Sequence, residues 1–246
     1  MRPERPRDAD RTPDPEIPEG VDARQLSKDA RARLRGLSKD NADGVGAHLV
    51  MAGRLLDTDP EQAYLHAQAA VRRAGRIDVV REAAGIAAYR TGRYAEALRE
   101  LRTVRRLNGS SEHLPLMADA ERGLGRPERA IALAQSEEAA TLDSEARTEL
   151  AIVVSGARSD LGDHDAALTV LDRIPAPERQ GDLGLRVLQA QAVALEAAGR
   201  DDEAARVLSG LDPAALDRAA GVPEGDEDYV VYDAFDEEAD DEEADT

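Results

Sequence analysis

The chain has no cysteine and no tryptophan, and aromatic residues make up only 2% of its 246 positions. Without cysteine there can be no disulfide and no thiolate metal site. With one Phe and five Tyr, a core must be assembled from Leu, Val, Ile and Ala, which favours thin seams between closely spaced helices. Lysine occurs only at Lys28 and Lys39, so nearly every base is Arg, a bias that matches the Ala, Gly and Asp load of a high-GC coding sequence. No run of about 18 apolar residues exists, which excludes a membrane-spanning helix. The first twenty residues lack the apolar centre of a secretory signal, and the expectation is a cytoplasmic protein.

What is present is helical periodicity. Between Asp78 and Ser111, small or apolar side chains recur at 79, 80, 83, 84, 86, 87 and 88, then at 94, 97, 98, 101, 104 and 107. Steps of three and four place them on one helix face, twice over. Gly92 separates the two runs, and Asn108-Gly109 ends the second, as glycine does just past a helix C-terminus. Two helices joined by so short a turn must fold back on each other.

The same phase recurs along the chain. Second-helix alanines stand at Ala63, Ala97, Ala130, Ala167 and Ala204, spaced 34, 33, 37 and 37 residues apart. Small residues precede the last four by twelve positions (Gly85, Ala118, Ser155, Ala192), and glycines close the first helices at Gly92, Gly125, Gly162 and Gly199. Five matches in near-constant phase point to a repeat array; an irregular helical bundle is the alternative. The unit from Asp78 resembles a tetratricopeptide repeat. Ala84-Gly85 fall on its Leu-Gly pair, Ala88 on its Tyr, Ala97 on its small residue, Leu101 on its Phe and Gly109 on its Pro. The aromatic positions depart from the pattern, which marks a divergent member. The resemblance implies an all-α, right-handed α-solenoid of about five helix-turn-helix repeats. The expected limits are 1–20 as a disordered Pro/Arg-rich N-terminus, 21–221 as the repeat domain and 222–246 as a disordered acidic tail.

Several local expectations follow. Val21 to Gly36 reads as one short basic helix, with Ser27 a cap within it. Ser38 reads as a cap for the next helix, and Asp59-Pro60, an N-cap acid followed by Pro, as the start of the one after it. Extra residues near 136–144 predict an additional turn, and Asp212-Pro213 a short closing helix. Charge is polarised: residues 21–107 carry 17 bases and 11 acids, whereas 224–246 carry 13 acids and no base. Such a tail cannot form a core, yet Tyr229, Tyr232 and Phe235 lie within it and suggest a docking segment.

The resemblance implies that first helices line a concave groove for a peptide or protein partner. Carried over in phase, His48, Glu82, Tyr89, Asp119, Arg122 and Gln189 are groove candidates. The Lys/Asn/Arg set that grips a C-terminal carboxylate in some members is replaced here by His48, Ala52 and Ala83, so that activity is not implied. The alternative function is an RNA- or ribosome-associated factor using the Arg cluster of residues 72–106, with the acidic tail as autoinhibitor. Its basic patch would be Arg72, Arg73, Arg76, Arg93, Arg102, Arg105 and Arg106. That cluster could equally be a solvated face or a dock for the tail. Overall acidity argues against general nucleic-acid binding.

No enzyme is expected. Asp163-His164-Asp165 has the residue types of acid–base chemistry, but in phase it is only a turn with an Asp cap. Gly44-Val45-Gly46 is too short for a phosphate loop. His48, His66, His113 and His164 show no metal-ligand spacing with one another, so no metal and no cofactor are expected.

Overall fold

A computed structural model of the chain describes residues 13–221, and these are all-α, with no strand among them. Twelve helices follow in order: α1 Lys28–Arg33, α2 Lys39–Leu55, α3 Pro60–Ala74, α4 Asp78–Arg90, α5 Tyr94–Asn108, α6 Leu114–Gly123, α7 Pro127–Ala134, α8 Ser144–Asp160, α9 His164–Asp172, α10 Gly181–Ala197, α11 Asp201–Leu208 and α12 Pro213–Ala219. No helix among the described residues is long and apolar enough to cross a membrane. The tail residues Tyr229, Tyr232 and Phe235, and the first twelve residues, lie outside the described part.

From α2 to α11 the helices pack as consecutive hairpins: α2 on α3, α4 on α5, α6 on α7, α8 on α9 and α10 on α11. Each hairpin then meets the next through its second helix and, for α2/α4, α6/α8 and α8/α10, through the first helices as well. Four hairpin turns share one geometry. Gly92, Gly125, Gly162 and Gly199 have φ of 71°, 69°, 78° and 72°. The following amide donates back five residues in each: Arg93 to Ala88, Arg126 to Glu121, Asp163 to Arg158 and Arg200 to Leu195. That is the wide bond of a Schellman motif, and it needs a residue that accepts positive φ. Asp59 and Pro60 make the remaining turn, with the Asp59 carboxylate accepting from the Gln62 amide at 3.1 Å.

The core is thin and Ala-rich. Ala63, Ala97, Ala130 and Ala167 have no exposed surface, and Ala204 retains 2%. Close approach in the second hairpin depends on Gly85: a Cβ there would stand 2.7 Å from Leu101 Cδ2. Larger side chains close the layers, with Leu98, Leu101, Leu114 and Leu171 buried.

The structure corrects three local expectations. Val21–Gly36 is not one helix but a 3-10 turn at Ala23–Gln25, α1, and a second 3-10 turn at Leu34–Gly36. Asp22 and Ser27 each cap their own segment, accepting from Arg24 and Ala30, and the second turn drives Leu34 into the core. Residues 13–20 carry no regular helix, but they are held: Asp14 bridges Arg72 at 2.5 Å and Arg73 at 2.6 Å on α3. Ser38 and Asp163 stand at helix starts without a side-chain cap bond; Asp163 instead accepts from Arg158 at 3.1 Å.

The third hairpin is the shortest. α7 stops at Ala134, and a 3-10 turn at Glu137–Thr141 follows it. Ala139 and Leu142 from this turn and its exit fill the space beside Leu114, Ala130 and Leu150. A short helix is thereby compensated by the extra segment anticipated at 136–144. At the far end α12 packs on α10, opened by Asp212, whose carboxylate accepts from the Ala214 amide at 3.1 Å.

Candidate partner-binding cleft

Two depressions lie along the first helices. The smaller, about 200 Å³, is apolar and formed by Leu49 and Ala52 of α2, Leu56 just past its end, Val79, Ala83 and Ile86 of α4, and Leu26. The larger, about 480 Å³, is open and polar, and takes residues from α4, α6, α8 and α10. Glu82 lines the first and reaches His113, which lines the second.

Tyr89, Asp119 and Arg122 come together in the larger cleft. The Tyr89 hydroxyl donates to Asp119 Oδ2. Arg122 donates to Asp119 Oδ1 at 2.9 Å and to Asp160 Oδ2 at 2.8 Å. Burial, then the Asp119 carboxylate, pushes the Tyr89 phenol above its ordinary pKa, so it stays a donor. Burial works against the Arg122 charge, but Asp160 and Asp119 more than offset it and its pKa is raised. The guanidinium lies flat on α8 because position 156 is glycine: a Cβ there would sit 2.5 Å from Arg122 Cζ. Across the cleft Glu149 of α8 accepts from Arg186 of α10. Burial raises the Glu149 pKa, against the pull of Arg186. The result is a wall of hydrogen bonds and ion pairs linking four successive first helices, α4, α6, α8 and α10.

Two groove candidates line neither depression. His48 is a correction: it retains 2% exposure and turns into the α2/α3 seam, where its Nδ1 lies 3.0 Å from His66 Nδ1. Val45 and His48 face the buried seam, and the apolar depression beside α2 is lined by Leu49 and Ala52. Gln189 is the other. Its Nε2 donates to the Leu216 carbonyl at 3.0 Å and fastens α12.

The seven arginines of the expected basic patch are largely spoken for. Arg72 and Arg73 share Asp14. Arg93 forks onto both oxygens of Glu61 at 2.9 Å and lies 4.3 Å above the Tyr64 ring. Arg102 meets Glu121 at 2.8 Å, and Arg105 meets Glu138. Arg106 donates to Thr103, and Arg76 has no carboxylate partner among the described residues. Two of these pairs span about the spacing of the sequence pattern, 32 residues for Arg93–Glu61 and 33 for Arg105–Glu138. Three of the seven, Arg93, Arg102 and Arg105, thus tie one hairpin to the next.

Sequence spacing missed three features. Gly156 and Asp160 fix Arg122, and their only trace was the small residue at Ser155. Glu149 and Arg186 lie 37 residues apart, one repeat, which repeat phase could have paired. His113 sits beside Glu82 and Glu112, with the three donor atoms all within 4.8 Å of one another. Histidine-to-histidine spacing could not reveal a set whose other ligands are glutamates.

No protein-family model matches the chain, and no curated protein matches its sequence.

Proposed function

We propose that the chain is a divergent tetratricopeptide-like, right-handed α-solenoid of five helix-turn-helix units, and that it works as a non-catalytic scaffold for a protein partner. The fold reading is supported by five consecutive hairpins, four identical glycine turns and a buried alanine at the same place in every second helix. The functional reading rests on one observation: the first helices carry two neighbouring depressions, an apolar one between α2 and α4 and an open, charged one running from α4 through α6 and α8 to α10. An extended segment with an apolar end and polar groups further on fits that sequence of surfaces. The polar groups of the cleft contact one another as ion pairs and hydrogen bonds, a recognition surface rather than a poised acid and base. Carboxylate pairing of five of the seven patch arginines supports a protein partner over RNA, because phosphate binding needs cations free to neutralise it.

The test is crosslinking capture from native cells with the full chain and with Tyr89→Ala and Arg122→Glu. Proteins recovered by the wild type and lost with both variants support the cleft. Unchanged recovery sinks this reading, and recovery of RNA alone would favour the Arg cluster instead.

A further inference from the structure

We propose that Glu82, Glu112 and His113 bind a divalent transition-metal ion, zinc above others, at the rim of the polar cleft. The donors come from two places that the fold holds still. Glu82 is in the middle of α4. Glu112 and His113 form the entry to α6, where the His113 carbonyl accepts from the Met117 amide at 2.9 Å and Leu114 is buried beside it. The Glu112 amide donates to Ser110 Oγ at 3.2 Å. His113 Nε2 stands 3.4 Å from Glu82 Oε1 and 3.7 Å from Glu112 Oε1.

Those separations suit an ion better than direct bonds. Tetrahedral zinc holds nitrogen and oxygen ligands at about 2.0–2.1 Å, which sets neighbouring ligand atoms about 3.3–3.4 Å apart. A hydrogen bond would bring them closer. The Nε2 atom is buried and has no hydrogen-bond partner, although it points at two carboxylates. An imidazole nitrogen in that position calls for a proton or a metal ion between itself and the carboxylates. One imidazole and two carboxylates are a borderline donor set, suited to zinc rather than to calcium or magnesium. Glu82 and His113 are partly shielded, whereas Glu112 is 62% exposed in its side chain, so it is the arm that closes on the ion. Three protein ligands leave one position open towards the cleft, for water or for a donor carried by a bound segment.

A proton on His113 could occupy the same gap, and the experiment separates the two. Zinc is titrated into the full chain at pH 7.5 against a chromophoric chelator, with no partner present, so the outcome is independent of the cleft's role. One ion should bind in the micromolar range or tighter. Glu112→Ala, an exposed change, should weaken it at least 10-fold, and His113→Ala more, with far-ultraviolet circular dichroism unchanged. The imidazole nitrogen resonances of His113 should shift on addition of zinc, while those of His164 stay in place. The thirteen carboxylates of residues 224–246 can collect cations loosely, so equal binding by wild type and both variants overturns the proposal. Failure to bind at micromolar zinc overturns it too and assigns the gap to a proton.

Discussion

His48 and His66 meet ring to ring between α2 and α3, their Nδ1 atoms 3.0 Å apart and their ring centroids 5.2 Å apart. One proton between two nitrogens makes a hydrogen bond; a second puts two like charges into a buried seam. Burial, and then the neighbouring imidazole, lowers the His48 pKa from 6.5 to about 4, and burial lowers that of His66. Asp14 opposes the shift, while Arg73 and Arg72 add to it.

A histidine whose pKa is depressed in the fold takes up its proton more readily when unfolded. Stability from this pair is full above pH 6.5 and falls as pH drops towards 4. For His48 the shift from 6.5 to about 4 corresponds to on the order of 3 kcal/mol at the acid end. Urea denaturation at pH 7.5, 5.5 and 4.5 should show the loss. The double variant His48→Leu, His66→Leu should have a shallower pH slope, and an unchanged slope would assign the acid loss to carboxylates.

Two helical glycines should respond oppositely to alanine. At Gly85 the new methyl meets the buried Leu101 side chain at 2.7 Å, and overpacking should destabilise by about 1–3 kcal/mol. At Gly53 nothing lies within 4 Å, and better helix propensity should stabilise by up to about 1 kcal/mol. Thermal melts of the two variants decide it.

Glu121 retains 2% exposure and is faced by Arg102 at 2.8 Å and Arg126 at 3.5 Å. Removing both arginines leaves a buried carboxylate alone and should cost about 3–5 kcal/mol. Replacing Glu121 by Met in that background should recover most of the loss. No recovery would mean that the arginine stems, not the charge, hold this seam.

Asp14 fastens the N-terminal segment to α3, and Arg72 and Arg73 hold its pKa down to about 2. The ion pair is partly solvated, so Asp14→Asn should cost no more than about 1 kcal/mol of global stability. Hydrogen exchange near residues 13–20 should nevertheless speed up. A large global loss with unchanged local exchange would contradict this assignment.

Helix positions and turns were legible in the sequence because a 3.6-residue period and glycine's tolerance of positive φ are local properties. Gly92, Gly125, Gly162 and Gly199 announced their turns without any knowledge of packing. His48 was misplaced because one register step decides whether a residue faces the groove or the seam, and the repeat pattern is not that sharp in α2. The carboxylate partners of the basic patch were hidden for a related reason. Runs such as Arg72-Arg73 and Arg105-Arg106 are visible as charge, but their partners Asp14 and Glu138 lie 58 and 33 residues away. The His113 cluster needed three dimensions, since Glu82 is brought to it by the packing of α4 beside α6.

Both ends of the helical run are fastened, by Asp14 across Arg72 and Arg73 and by Gln189 onto α12. Arrays of stacked units ordinarily fray from their termini, because an end unit has one neighbour. Here the break in helical regularity is internal, where α7 ends after eight residues and a 3-10 turn stands in for its missing length. Limited proteolysis should therefore nick the chain first between Gln135 and Asp143. The molecule would part into two helical blocks, each retaining its own fastened end, as a bridge fails at midspan rather than at its abutments.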